Sequence, residues 1–203
     1  MEFRADNVVT SGTFSLDGQT FEVENNVWVL GDDTEVVVID APHEIAPLLE
    51  IVGDRRVTAI LATHAHDDHV RFAPALADAT DAPIWLHPDD APVWELTHPE
   101  RNPDAPLTDG QRIRVGDGVL EVLHTPGHTP GAVSFYAAGS GVVYTGDTLF
   151  RGGPGATGRS FSDRDTILAS IRRRLLVLPD DTVVHPGHGR STTIGEEADA
   201  LRA

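Results

Sequence analysis

The sequence predicts an α+β fold in which two β-sheets pack face to face and helices cover their outer faces. Apolar and alternating segments of strand length fall into two groups along the chain, with helix-like stretches between them. Such a grouping is typical of two packed sheets with helices outside. The 203 residues, 40% of them hydrophobic, suit one domain over residues 1–203 that buries about 70% of its unfolded surface.

The predicted elements follow from local periodicity. The first strand group covers residues 26–30, 35–39, 57–62 and 84–86, and the second covers 111–115, 119–123, 132–136, 142–144 and 182–184. Helices are predicted around residues 43–51, 70–79 and 89–97. No internal repeat or long linker divides the chain, which agrees with the single domain.

Two capping patterns mark further helices near the C-terminal end. Ser162 followed by Asp165 predicts a helix whose buried face carries Ile167, Ile171 and Leu175. Thr193 followed by Glu196 predicts a last short helix.

Residues 64–69 read His-Ala-His-Asp-Asp-His and come directly after the predicted strand at 57–62. A tight loop at a strand end can aim His64, His66, Asp68 and His69 into one pocket. Without a ligand, so many imidazoles and carboxylates would leave charge repulsion and desolvation unexplained. The hexapeptide therefore predicts a metal site, in which Asp67 serves as a helix-start carboxylate.

Three more candidate ligands each lie in a Gly-rich turn after a strand-like run. They are His128 in Thr-Pro-Gly-His-Thr-Pro-Gly, Asp147 in Tyr-Thr-Gly-Asp-Thr, and His188 in His-Pro-Gly-His-Gly. Each alone is compatible with an ordinary turn. Their joint order after the hexapeptide predicts seven ligands for two metals.

This order resembles the metallo-β-lactamase superfamily, whose signature is H-x-H-x-D-H followed by a distant His, a distant Asp and a last His. Within it, the segments 146–150 (Gly-Asp-Thr-Leu-Phe) and 125–131 look most like the glyoxalase II branch, which hydrolyses thiol esters. The resemblance spans residues 20–190 and implies an αββα four-layer sandwich.

The resemblance also implies a ligand assignment. His64, His66 and His128 would hold one metal, Asp68, His69 and His188 the second, and Asp147 would bridge them. Two divalent ions are expected, with zinc as the first choice and iron or manganese as alternatives, because imidazoles and carboxylates accept all three. The chain contains no Cys, so thiolate ligands and cysteine nucleophiles are excluded.

The expected reaction is hydrolysis of a thioester, formed between an acyl group and a small thiol, by a metal-bridging hydroxide. A thiolate leaves without general-acid help, whereas an amide would require protonation. Asp68 and Asp147 are the expected catalytic carboxylates, with Asp68 as a candidate proton acceptor.

Two residues near the expected site carry open alternatives. Asp40, after the predicted strand at 35–39, either orients a ligand His or is a simple turn residue. Arg159 matches the family's basic substrate contact or is an unspecific surface Arg. Phe161 falls where the family has a Tyr, and this departure argues against glutathione as the thiol. The expected substrate is S-lactoylglutathione or an analogous bacterial thiol ester, such as one of mycothiol, and the Phe161 departure favours the second.

Charge and the N-terminal residues bear on partners and location. The formal net charge is −17, and every basic side chain other than His is Arg. Such a surface repels phosphate backbones, so nucleic-acid binding is not expected. The N-terminal residues lack a basic start and an apolar run, which predicts a cytoplasmic protein without membrane association; the oligomeric state is not predicted. The remaining histidines are expected to be structural: His43, His87, His98, His124 and His185.

Three other functions remain as alternatives. One is a persulfide dioxygenase with a single Fe(II) at His64, His128 and Asp147. Another is a lactonase or other hydrolase of the same fold. The third, a noncatalytic binding module, requires a degenerate site, and no ligand position is missing.

Overall fold

The first β-sheet contains the N-terminal strands. The computed structural model describes residues 4–201. Six strands lie in sequence order across this sheet, β1 (Arg4–Leu16), β2 (Gln19–Gly31), β3 (Glu35–Ile39), β4 (Arg56–Leu61), β5 (Ile84–Leu86) and β6 (Ala105–Pro106). Strands β1, β2 and β3 are antiparallel neighbours, and β3 to β6 are parallel.

The second sheet also has six strands, in the spatial order β14-β13-β10-β9-β8-β7. They are β7 (Arg112–Val115), β8 (Gly118–His124), β9 (Val133–Ala137), β10 (Val142–Gly146), β13 (Val183–Pro186) and β14 (Thr192–Thr193). A small hairpin of β11 (Leu149–Phe150) and β12 (Gly153–Pro154) follows β10.

Helices cover the outer face of each sheet. They are α1 (Ala46–Val52), α2 (Asp67–Val70), α3 (Ala73–Thr80), α4 (Ala91–Thr97), α5 (Arg164–Ser170) and α6 (Ile194–Leu201). A short 3₁₀ turn (Pro88–Asp90) precedes α4, and a π-helical turn (Ile171–Leu175) continues α5. Among residues 4–201, no helix combines the length and apolar character needed to span a membrane.

Side-chain alternation along β3 shows how the layers form. Val36 and Val38 face a core shared with α1, α3 and α4, whereas Val37 and Ile39 face the core between the sheets. A strand sends successive side chains to opposite faces, so a wholly apolar strand can contribute to two cores. A third core packs the second sheet against α5 and α6. Three cores separate four layers, which confirms the αββα sandwich.

The capping predictions had different outcomes. The helix start at Ser162 is wrong by one residue, because the Asp163 side chain accepts the bond from the Thr166 N–H at 2.7 Å. Ser162 Oγ instead accepts from the backbone N–H of Gly158 and of Arg159. The local turn therefore competes successfully for the serine hydroxyl. The second pattern is confirmed, since Thr193 Oγ1 accepts from the Glu196 N–H at 3.2 Å.

The long hairpin of β1 and β2 was only partly predicted, as residues 26–30. Its turn contains Asp17 and Gly18, which both adopt positive φ angles (54° and 73°). Two central residues with positive φ are typical of the type I′ turn that favours Asp-Gly. This dipeptide was the sequence signal for the hairpin.

Candidate metal centre

Four strand ends bring the seven predicted ligands together. The loop and helix after β4 carry His64, His66, Asp68 and His69. The other three follow β8, β10 and β13, as His128, Asp147 and His188. Ligand atoms of these residues form overlapping groups, and within each group all atoms lie within 4.8 Å of one another. The first group is His64, His66 and His128, and the second group is Asp68, His69 and His188. A set of His64, His69 and Asp147 overlaps both.

The first group is a cluster of imidazoles. His66 Nδ1 lies 3.1 Å from His64 Nε2 and 3.1 Å from His128 Nε2. Burial and the neighbouring imidazoles lower the pKa of His64 well below its ordinary value and that of His66 to about 3. These two rings are therefore neutral at pH 7, with lone pairs available to a metal.

The second group contains a carboxylate between two imidazoles. His188 Nε2 lies 3.3 Å from Asp68 Oδ2 and 3.3 Å from His69 Nε2. Asp68 is 3% exposed and His69 is fully buried. This group matches the ligands that the resemblance assigns to the second metal.

Asp147 lies between the two groups. Its Oδ2 is 3.6 Å from His128 Nε2 and 3.3 Å from His188 Nε2, and its Oδ1 is 3.3 Å from His69 Nε2. One carboxylate thus reaches members of both groups, as a bridging ligand must.

The electrostatics of the second group differ from those of the first. Burial opposes a charge on His69, but the nearby carboxylates of Asp147, Asp68 and Asp40 raise its pKa well above the ordinary value. Burial also opposes a charge on His188, and Asp147 and Asp68 overcome it, raising the pKa of His188 to about 10. Protons therefore occupy this group in the metal-free chain, and a metal must displace them.

Hydrogen bonds turn four imidazoles so that Nε2 faces the centre. The Nδ1–H groups of His69, His128 and His188 donate to Asp40 Oδ2, the Ala156 carbonyl and the Glu24 carbonyl, respectively. Thr63 Oγ1 donates to Asp40, so it accepts from His64 Nδ1 at 3.1 Å. Fixing the distal nitrogen in this way selects the tautomer that can bind a metal.

The residues present fit a pair of divalent metals. Asp147 Oδ1 is buried and, although His69 Nε2 lies 3.3 Å away, it has no partner of hydrogen-bond geometry among residues 4–201. The 3.1 Å separations in the first group match nitrogens about 2.0 Å from one tetrahedral zinc, which stand about 3.3 Å apart. An orphaned carboxylate oxygen and unshared imidazole lone pairs are the atoms a cation would satisfy.

Asp40 and Asp90 support the loops that carry the ligands. Asp40 contacts His69, so of its two predicted roles the structure shows the orienting one. The sequence did not indicate the supporting role of Asp90, because two Asp residues before a helix-like stretch are typical of an ordinary helix start. Its fully buried carboxylate accepts from the Ala65 N–H (2.8 Å), Thr129 Oγ1 (2.8 Å) and the Gly131 N–H (2.5 Å), and so ties two ligand loops together.

A separate group, His87, Asp89 and His124, lies outside the centre and also brings potential ligand atoms within 4.8 Å. The two rings stack at 4.0 Å with an interplanar angle of 10°. Because a metal lies in the plane of the imidazole that binds it, two parallel rings cannot share one ion without turning. His87 caps the following turn, which agrees with a structural role.

A cavity of about 400 Å³ opens above the metal centre. Its apolar wall contains Phe14, Phe21 and Val23 of the first hairpin. The Arg159 guanidinium lies 4.6 Å from the Phe21 ring centroid, and its Nη1 donates to Gln19 Oε1 at 3.0 Å. The Asp17 carboxylate lies nearby, and its pKa is lowered mainly by hydrogen bonds from Ser160 and to a smaller extent by the Arg159 charge.

The model of the Metallo-beta-lactamase superfamily matches residues 21–188. The chain belongs to this superfamily. Together with the His-rich centre, membership indicates a metal-dependent hydrolase.

Relatives within the superfamily extend over most of the chain. Hydroxyacylglutathione hydrolase GloC of Haemophilus influenzae is 34% identical over 189 residues, covering 86% of this chain and 89% of GloC. The structure of TTHA1623 in a di-iron-bound form is 36% identical, with a TM-score of 0.79, covering 93% of this chain and 96% of that one. The BLEG-1 B3 metallo-beta-lactamase is 32% identical, with a TM-score of 0.78, covering 94% and 97%.

Proposed function

We propose that this superfamily member hydrolyses a thioester of a small thiol, S-lactoylglutathione or an analogous bacterial thiol ester. The observation that carries the proposal is the complete set of seven convergent ligands beneath an open cavity. The name of the GloC relative supports the thioester class.

The seven residues would hold two divalent metals, His64, His66 and His128 one, Asp68, His69 and His188 the other, with Asp147 between them. When bound, two such ions would lower the pKa of a bound water toward neutrality and polarise the substrate carbonyl. Zinc is the expected metal, with iron or manganese as alternatives. The di-iron form of the TTHA1623 relative supports iron as a serious alternative.

The chain's own groups suit a substrate with a good leaving group. The carboxylate of Asp68 would accept the proton of the attacking water. Glu24, the carboxylate of the cavity wall outside the ligand set, is exposed. A thiolate leaves unprotonated, so a thioester requires no proton donor in the cavity wall.

Arg159 and the apolar wall would select the substrate. The guanidinium can bind a carboxylate of the thiol portion through its planar fork. Phe14, Phe21 and Val23 would contact the uncharged part of the substrate. Small thiols that carry carboxylates meet both requirements.

The alternatives predict different metal contents and products. A persulfide dioxygenase would use one iron at His64, His128 and Asp147, whereas the complete second group of ligands supports a second metal. The BLEG-1 relative keeps β-lactams, along with lactones, among the substrates to test. Cytoplasmic location and the lack of nucleic-acid and membrane partners stay predictions.

The test combines elemental analysis of protein purified without added metal with a substrate panel. Acyl thioesters of glutathione and other small thiols, lactones and a β-lactam should be compared, and thiol release should dominate. A His66→Ala, Asp147→Ala double variant should lose this activity. One iron per chain with oxygen-dependent sulfite formation, or full activity in the double variant, would contradict the proposal.

A further inference from the structure

Asn25 of β2 contacts every member of the second ligand group, although it is not a ligand. Its side chain is fully buried. Nδ2 donates to Asp68 Oδ2 at 3.1 Å and lies 3.3 Å from His69 Nε2 and 3.5 Å from His188 Nε2. The amide therefore sits where it can control the direction of the Asp68 carboxylate.

His43 forms the hydrogen bond to the other end of the Asn25 amide. Asn25 Oδ1 lies 2.7 Å from His43 Nε2. An amide oxygen only accepts hydrogen bonds, so His43 Nε2–H is the donor. The reverse amide orientation would place Oδ1 against the Asp68 carboxylate, which can only accept hydrogen bonds. Asp68 therefore excludes that orientation, and the bond from His43 holds Oδ1 in the productive one.

The fold makes room for the His43 ring beside β1. A Cβ at Gly12 of β1 would overlap the His43 ring, so close packing there requires glycine. His43 Nδ1 is buried without a hydrogen-bond partner among residues 4–201. Leaving a buried ring nitrogen without a hydrogen bond costs free energy. The same burial places the other ring nitrogen, Nε2, against Asn25 Oδ1.

We propose that Asn25 and His43 are positioning residues that hold Asp68 ready for the second metal. The inference rests on the proposed two-metal function. The amide donor favours the ionised carboxylate and directs its lone pairs, as outer partners of metal ligands do. The first group of ligands, His64, His66 and His128, has no such dependence on Asn25.

The proposal predicts a site-selective loss of metal affinity. Asn25→Ala and the uncharged, near-isosteric Asn25→Leu should weaken binding of the second metal by about 10- to 100-fold and leave binding of the first nearly unchanged. His43→Ala removes the hydrogen bond that holds Asn25 Oδ1 and should weaken binding of the same metal. His43→Gln restores a donor within reach of Asn25 Oδ1 and should recover most of the affinity.

Metal-free protein is titrated with Zn²⁺ in competition with a chromophoric chelator, which gives a dissociation constant for each of the two metals. A parallel titration with Co²⁺ follows its absorption spectrum. Asn7→Ala is the matched asparagine control, since Asn7 Nδ2 donates to the Val27 carbonyl at 3.3 Å. His98→Ala is the histidine control, because His98 Nε2 donates to the Val70 carbonyl at 2.9 Å. Circular dichroism checks the fold of each variant.

The outcomes separate this inference from the function it rests on. If the wild type binds two metals and both Asn25 variants bind them with unchanged affinities, this inference is wrong and the two-metal function stands. Equal weakening of both metals, or identical behaviour of His43→Ala and His43→Gln, would also overturn it. If Asn25→Ala does not fold, the comparison of the His43 variants decides. Fewer than two metals in the wild type would overturn the two-metal function and this inference together.

Discussion

Replacing Asp40 by Asn tests whether the carboxylate beside His69 tunes the second metal. Asp40 is 2% exposed and makes three short hydrogen bonds. Oδ1 accepts from the Thr63 N–H, and Oδ2 accepts from Thr63 Oγ1 and His69 Nδ1, each at 2.8 Å. Asn retains the shape but replaces one acceptor by a donor. Whichever way its amide turns, an N–H faces another N–H.

The expected loss follows from that single contact. A hydrogen bond to a charged group contributes about 1.5–3 kcal/mol. At about 1.4 kcal/mol per factor of ten, Asp40→Asn should weaken the second metal by about 10- to 150-fold. Asp40 has a positive φ of 64°, which Asn tolerates well. Asp40→Ala should therefore lose a further 1–2 kcal/mol or so of fold stability.

The assay is competition for Zn²⁺ with a chelator at pH 7, together with chemical denaturation of the metal-free chain. Asp32→Asn is the matched control, because Asp32 is also buried and accepts from the N–H groups of Thr34 and Glu35 in a turn. Affinity within threefold of wild type in Asp40→Asn would refute the reasoning. So would an equal loss in Asp32→Asn.

Three further predictions concern pH, stability and substrate binding. Because the pKa of His188 in the metal-free fold is about 10, above the ordinary 6.5, its proton stabilises that fold fully below pH 6.5 and less as the pH rises to 10. A metal that displaces this proton binds more tightly as the pH rises. The Zn²⁺ affinity of the second site should therefore increase by up to about tenfold per pH unit for each displaced proton between pH 6.5 and 10. Competition titration measures this affinity, and a pH-independent value would contradict the prediction. Asp90→Ala leaves three buried donors unsatisfied and should lower the unfolding free energy by about 2–5 kcal/mol in urea denaturation, whereas the exposed Asp89→Ala should change it by less than about 0.5 kcal/mol. Arg159→Ala should raise KM about tenfold or more for thioesters that carry carboxylates and leave KM for neutral ones unchanged; equal effects on both classes would exclude the charge interaction.

Local sequence patterns predicted the central strands of both sheets but not β1, β6, β11, β12 or β14. Strands β3 and β5 have the predicted bounds, residues 35–39 and 84–86, because alternation and strand length are properties of a short segment. Helix capping depends on more than the local pattern. Ser162 and Asp163 are adjacent and both can cap, and the bonds of Ser162 to the preceding turn decided between them.

Partners distant in sequence could not be predicted in this way. Asn25 precedes Asp68 by 43 positions, and no local periodicity relates an amide in β2 to a carboxylate after β4. Asp90 likewise joins Ala65 to Gly131 only because parallel strands end at the same edge of the two sheets. Asp40 was open between two roles until its distance to His69 was known.

The amino-acid sequence by itself determined which residues can bind metal, since ligand chemistry is a property of the side chain and the hexapeptide at 64–69 concentrates it. Only the tertiary structure decided which residues orient those ligands and in which tautomer. Orientation depends on hydrogen bonds of about 3 Å between segments far apart in the chain, and packing of the two sheets sets those distances.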